Sequence, residues 1–223
     1  MQFLYHERAG EESIVIEGES FTHLFKSRRY DIKKPLRLRN LRDDFLYEYN
    51  IKAINRREAE CVLHAKNMPI RKTVKPLQIA WSVVEPKIIE KTLPFLNEIG
   101  LKKLIFVYTK FSQHSFKIDF QRLRRIAINS CEQCGRADLM EFEMLGSLEE
   151  FIKKYQNFGV ADFSSNRLCD IKNPPDTWII GCEGGFSMDE KEQLKIYPIF
   201  GFESENILRS ESAVMALAAK ILL

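Results

Sequence analysis

At 223 residues, with 45% hydrophobic and 29% charged side chains and neither a low-complexity tract nor a repeat, the chain reads as globular, with room for one small and one larger core. No apolar stretch approaches the roughly 18 residues that span a bilayer, the opening MQFLYHERAG lacks a basic-then-apolar leader pattern, and five scattered cysteines fit free thiols, so a cytoplasmic protein without a membrane partner is expected. The net charge of +3 is uneven: residues 1–74 carry 15 Lys and Arg against 11 Asp and Glu, while residues 75–223 carry 19 against 20, so a polyanion partner would meet the front of the chain.

Over the first 70 residues, short runs separated by polar turns predict strands at 1–6, 13–17, 35–41, 45–54 and 58–66. Leu36-Arg37-Leu38-Arg39 alternates with period two, as a half-buried strand does. Such a series suggests a small barrel. Ser20 to Lys26 reads as a helical segment leading into Lys26, Arg28 and Arg29. Residues 67–76, with Pro69, Pro76 and several cations, read as a linker.

Beyond it the rhythm becomes strand then helix. Strands are expected at 77–84, 103–109, 158–163, 177–181 and 197–201, and helices at 86–98, 119–134, 148–156, 187–195 and 210–223. Pro86 is tolerated in a first helical turn, and Gly100 and Gly135 are stop signals. This alternation predicts an α/β domain with a mainly parallel sheet, covered on both faces, from residue 71 to the end. In such sheets ligands bind beyond the carboxyl ends of the strands.

Three stretches carry candidate chemistry. After the strand at 177–181, Gly181-Cys182-Glu183-Gly184-Gly185-Phe186-Ser187 places three glycines within five residues ahead of a helix whose Ser187 and Glu190 have capping-box spacing. Glycine lets a backbone approach a ligand closely, although a plain strand-to-helix turn would look the same. The stretch matches neither a Walker loop nor the dinucleotide fingerprint, and Glu183 would repel phosphate. After the last strand, Gly201 leads through Ile207-Leu208-Arg209-Ser210-Glu211 into an apolar helix that Ser210 can cap. Arg209 and Glu211 are candidates for ligand contacts, or ordinary surface charges.

The third stretch, Cys131-Glu132-Gln133-Cys134-Gly135-Arg136, closes a helix. Its Cys-x-x-Cys spacing has no second ligand pair for zinc, so no metal site is expected, and it ends a helix instead of starting one, which disfavours redox chemistry. Gln133 and Arg136 are better candidates for substrate contacts. His6, His23, His64 and His114 have no evident partners, and no nucleophile elbow occurs, which argues against a hydrolase.

Together the three stretches resemble the motifs of one family. Glu132-Gln133-Cys134-Gly135-Arg136 is similar to Glu-Gln-Ser-Gly-Arg, Ile180-Gly181-Cys182-Glu183-Gly184-Gly185-Phe186-Ser187 to Ile-Gly-Pro-Glu-Gly-Gly-hydrophobic-Ser, and Ile207-Leu208-Arg209-Ser210-Glu211-Ser212-Ala213 to Ile-Leu-Arg-Thr-Glu-Thr-Ala. By order and spacing the chain resembles the ribosomal RNA small subunit methyltransferase E family, which methylates N3 of a uridine in 16S ribosomal RNA.

The resemblance implies a PUA-like β-barrel over residues 1–70 that binds RNA, and a trefoil-knotted SPOUT domain over 71–223 that binds S-adenosylmethionine, in a homodimer acting on 16S ribosomal RNA or the small subunit. It implies a cofactor site of Ile180, Gly181, Glu183, Gly184 and Gly185 with Phe200, Gly201, Ile207, Leu208 and Arg209. Arg136, Arg209 and Glu211 would serve catalysis, and His23, Lys26, Arg28, Arg29 and Gln133 would contact RNA. The chain departs from the family in Cys182, where proline is usual, and in an acidic Gly201–Asn206 segment in which Asn206 replaces arginine. The rival reading is an RNA-binding protein whose cofactor loop is vestigial.

Overall fold

A computed structural model describes residues 2–67 and 75–223. The chain divides into two compact units, Met1–Lys72 with Ile128–Leu139, and Thr73–Ala127 with Met140–Leu223. Residues 68–74 of the expected linker, and Met1 of the first expected strand, lie outside the described residues.

The first unit holds β1 (Leu4–Tyr5), β2 (Ser13–Glu17), β3 (Leu36–Arg39), β4 (Leu46–Ile54) and β5 (Glu58–Asn67) in one sheet of order β1-β3-β4-β5-β2. Only β1 and β3 run parallel. β2 shows the alternation expected of a half-covered strand, with Ile14 and Ile16 buried between exposed neighbours. Register shifts at Glu48/Tyr49 and Ile51/Ala53 break the β4–β5 ladder, and bulges of this kind bend a sheet. The helical segment expected at Ser20–Lys26 is a short α1 (Gly18–Phe21) that runs into a wider π-helical turn at Thr22–Ser27. Phe21 and Leu24 enter the core with Ile14, Ile16, Leu36, Leu38 and Tyr49, leaving the polar side of the segment outward.

The second unit is a six-stranded, fully parallel sheet of order β11-β9-β10-β6-β7-β8, formed by β6 (Gln78–Ser82), β7 (Lys103–Val107), β8 (Glu141–Leu145), β9 (Gly159–Ala161), β10 (Thr177–Ile180) and β11 (Ile199–Phe200). Helices α2 (Pro86–Glu98), α3 (Phe120–Cys134), α4 (Leu148–Lys154), α5 (Met188–Leu194) and α6 (Ser210–Leu222) alternate with the strands. All four residues of β10 are buried, as expected of a central parallel strand. The α/β character with a mainly parallel sheet agrees with the sequence reading. β8 was not expected; its sequence Glu-Phe-Glu-Met-Leu is largely half-buried, as suits the edge it occupies beside β7.

Gly135, at φ +88°, ends α3, and its N–H donates to the Cys131 carbonyl at 2.8 Å. The last seven residues of this helix, Ile128 to Cys134, belong to the first unit. There the Gln2 N–H donates to the Glu132 carbonyl at 2.7 Å, and Cys131 packs with Phe3 and Leu41. Among the described residues no helix is long and apolar enough to cross a membrane.

Candidate functional site

The carboxyl ends of β9, β10 and β11 surround a cavity of about 350 Å3 in the second unit, within the roughly 300–1,000 Å3 typical of small-molecule sites. Its walls come from Ala161 to Ser164 after β9, Ile180 to Phe186 after β10, and a third segment after β11 that includes Gly201, Ile207 and Leu208. The two glycine-bearing turns singled out in the sequence therefore face one space.

Backbone packing explains the glycines. A Cβ on Gly181 would sit 2.9 Å from the Gly185 Cα, and one on Gly201 would sit 2.6 Å from the Ser164 carbonyl oxygen, both closer than carbon contacts allow. Gly185 adopts φ +67°, and its N–H donates to the Cys182 carbonyl at 2.9 Å, closing the turn. The capping box forms as its spacing suggests: the Glu190 N–H donates to Ser187 Oγ at 3.3 Å, and the Ser187 N–H to Glu190 Oε2 at 2.8 Å. Glu190 also accepts from the Lys110 N–H at 2.7 Å, tying the loop after β7 to the start of α5.

Ser210 behaves differently from the expectation. Arg209 occupies the N-cap of α6, and no side chain caps the helix. The Ser210 hydroxyl instead donates to the Gly181 carbonyl at 2.6 Å and accepts from Trp81 Nε1 at 2.7 Å, because it is buried where two other polar groups need partners.

Of the ten residues expected around a cofactor, eight line the cavity: Ile180, Gly181, Glu183, Gly184, Gly185, Gly201, Ile207 and Leu208. Phe200 is not among them; its ring centroid lies 5.8 Å from that of Trp178. Arg209 is not a wall residue; its side chain is 84% exposed, 4.0 Å from the half-buried Glu211 carboxylate. Cys182 lines the cavity, and burial pushes its thiol up from the ordinary range.

The sequence reading missed the wall contributed by Asp162, Phe163, Ser164 and Arg167. Arg167 Nη1 donates to the Phe202 carbonyl at 2.7 Å, the Gly201 N–H donates to the Asn166 carbonyl at 2.8 Å, and Asp162 pairs with Lys191 at 3.5 Å. The available signal was positional: this segment follows a buried strand at its carboxyl end.

The remaining candidates sit in the first unit. His23, Lys26, Arg28 and Arg29 are exposed along and after the π-helical turn, and Gln133 is exposed near the end of α3. Burial raises the Glu132 carboxyl while the Tyr5 N–H, at 2.7 Å, and the nearby His23 and Arg28 side chains oppose that rise, so these side chains lie within electrostatic reach of the helix end. The Arg136 side chain is 6% exposed and holds the Asp138 carboxylate through Nη2 at 2.9 Å and Nε at 3.3 Å. Among the described residues no three His, Cys, Asp or Glu side chains gather as metal ligands would.

Residues 71–222 match the family described as RNA methyltransferase domain. The ribosomal RNA small subunit methyltransferase E of Helicobacter pylori (strain ATCC 700392 / 26695) is 41% identical over 222 residues, covering 98% of both chains. The protein of the same name from Buchnera aphidicola subsp. Schizaphis graminum is 27% identical over 91% of this chain and 87% of its own. In fold, the chain superposes with a TM-score of 0.83 on the Neisseria gonorrhoeae ribosomal RNA small subunit methyltransferase E, solved bound to S-adenosyl methionine, at 17% identity over 99% of this chain and 96% of that one.

Proposed function

The chain belongs to the RNA methyltransferase domain family, and within it to the ribosomal RNA small subunit methyltransferase E proteins; from that premise we propose that it moves the methyl group of S-adenosylmethionine to N3 of a uridine in 16S ribosomal RNA. One observation carries the reading: the loops 181–185 and 201–208 wall a single cavity and are joined where Ser210 Oγ meets the Gly181 carbonyl.

The residues present fit the cofactor. The cavity is of suitable size, its glycines bring backbone to its surface, and Asp162 and Glu183 suit a ligand that bears a sulfonium and an ammonium group. The holding residues would be Ile180, Gly181, Glu183, Gly184 and Gly185 on one side and Gly201, Ile207 and Leu208 on the other, with Phe200 and Arg209 supporting them. S-adenosylmethionine supplies, when bound, a methyl already activated by its sulfonium. The protein's share is alignment and charge stabilisation. Uridine N3 carries a proton at neutral pH, so Arg209 or Arg136 would stabilise the negative charge left at N3, with Glu211 orienting Arg209. Because N3 is hidden inside a base pair, the target must be unpaired or extruded.

In this reading the first unit is a PUA-like barrel over residues 1–70 that grips RNA through His23, Lys26, Arg28 and Arg29, joined by Gln133, and residues 71–223 form a SPOUT domain with a trefoil knot. The close pairing of Gly201 with the segment after β9 supports the knot: the Gly201 N–H donates to the Asn166 carbonyl and the Leu168 N–H to the Gly201 carbonyl, while Ser210 bonds the Gly181 carbonyl. The protein would act in the cytoplasm as a homodimer.

The test is to map N3-methyluridine in 16S ribosomal RNA from cells with and without the protein, together with calorimetric titration of S-adenosylmethionine. Loss of one methyl and saturable binding are expected; an unchanged methylation map refutes the substrate, and no binding refutes the enzyme.

A further inference from the structure

The loop after β7 displays an aromatic ring beside the cofactor turn. Phe111 is 54% exposed, and it packs against the backbone of Gly184, where an added Cβ would lie 3.1 Å from Phe111 Cβ. The loop is held firmly. Glu190 accepts the Lys110 N–H at 2.7 Å, the Ser112 N–H donates to the Thr109 carbonyl at 3.0 Å, and Ser112 Oγ accepts the Thr109 N–H at 3.2 Å. Tyr108 stacks on His114 with centroids 5.0 Å apart, and its hydroxyl donates to the Phe116 carbonyl at 2.5 Å.

The loop itself exposes cations. Lys110, His114 and Lys117 are exposed along the same loop, with the Lys117 ammonium 6.0 Å from the Tyr108 ring. The acids on these elements are Asp119 at the loop's far end, Glu183 on the cofactor turn and the buried Glu190, whose carboxylate is occupied by the Lys110 and Ser187 N–H groups. A fixed aromatic face flanked by cations is how proteins receive unpaired RNA: the face stacks a base, and the cations neutralise phosphates. Hydrogen bonds that already hold the loop backbone leave less to be ordered on binding.

We propose that Phe111 is the stacking platform for an unpaired base of the RNA substrate, at or next to the base presented to the cofactor cavity, and that Lys110 and Lys117 hold its flanking phosphates. The proposal rests on the RNA methyltransferase reading and adds to it a contact within the catalytic unit itself. An exposed phenylalanine can equally cover a second copy of the chain; the basic neighbours favour RNA.

The experiment uses the full chain with S-adenosylhomocysteine and a uridine-rich RNA hairpin carrying 5-iodouridine in its loop. Ultraviolet irradiation should cross-link the RNA to the peptide containing Phe111. Phe111→Ala should weaken hairpin binding about 5- to 150-fold, as loss of one base–aromatic stack does, with S-adenosylmethionine affinity unchanged; Phe111→Trp should restore it. Hairpin affinity within twofold of wild type in Phe111→Ala, or no cross-link to this loop, overturns the proposal. A changed oligomeric state in Phe111→Ala overturns it in favour of a protein interface. If wild-type protein binds no S-adenosylmethionine, the enzymatic reading fails instead, whatever Phe111 does.

Discussion

Ser210 donates its hydroxyl proton to the main-chain carbonyl of Gly181 at 2.6 Å, joining the first turn of α6 to the carboxyl end of β10. The same oxygen accepts from the Trp81 indole, so one buried hydroxyl satisfies two buried groups. Two segments separated by 29 residues are thereby fixed on one cavity.

Replacing Ser210 with alanine should leave both partners unsatisfied. A stability loss on the order of 2–4 kcal/mol is expected from orphaning a buried carbonyl and a buried indole N–H, read as a lower urea midpoint with unchanged slope. Weaker S-adenosylmethionine binding should accompany it, and Ser210→Thr should recover most of both. An alanine variant as stable as the parent would show that the bond contributes little.

Gly201→Ala tests the close backbone approach between Gly201 and Ser164. Its new methyl would meet the Ser164 carbonyl oxygen at 2.6 Å, and neither partner is the flexible end of a side chain. The 162–166 segment must shift, at a cost of roughly 1–3 kcal/mol for a forced overpacking. Thermal melts and calorimetry should both register the change, whereas unaltered S-adenosylmethionine affinity would mean that this contact yields easily.

Acid stability should depend on Glu143. Burial pushes its carboxyl upward, but hydrogen bonds from Lys103 at 2.5 Å, from Tyr155 at 2.9 Å and from Lys154 outweigh that and hold it at about 2. A group depressed in the folded state stabilises above its unfolded value near 4.5 and loses that contribution as pH falls toward 2. With the side chain 14% exposed, on the order of 2 kcal/mol should disappear across this window. Denaturation of Glu143→Gln should show a flatter dependence there; parallel curves for variant and parent would rule the residue out.

Thiol labelling separates exposure from reactivity. Cys134 and Cys169 are exposed, whereas Cys61, Cys131 and Cys182 are buried. The hydrogen bond to the Glu203 carboxylate, then desolvation and the charge of Asp170, raise Cys169 to about 11, leaving little thiolate at pH 8. Iodoacetamide should therefore modify Cys134 first, Cys169 slowly, and the buried three only on unfolding, as followed by peptide mass spectrometry. Equal rates at the two exposed thiols would contradict the assigned environment.

Local signals in the chain determined a great deal. Pro86 and Gly100 bracket α2, Ser187 and Glu190 form the capping box, and the glycines at 181, 184, 185 and 201 mark the turns around the cavity. Each depends on neighbours within a few residues, where spacing and backbone freedom speak directly. Pairing between distant segments has no such local signature. Only the tertiary structure put β11 beside β9, added β8 at the sheet edge, joined Ile128–Leu139 to the first unit and brought Asp162–Arg167 into the cavity wall. It also turned Ser210 from a helix cap into a bridge between strands, because a buried hydroxyl bonds whichever partners the fold delivers to it.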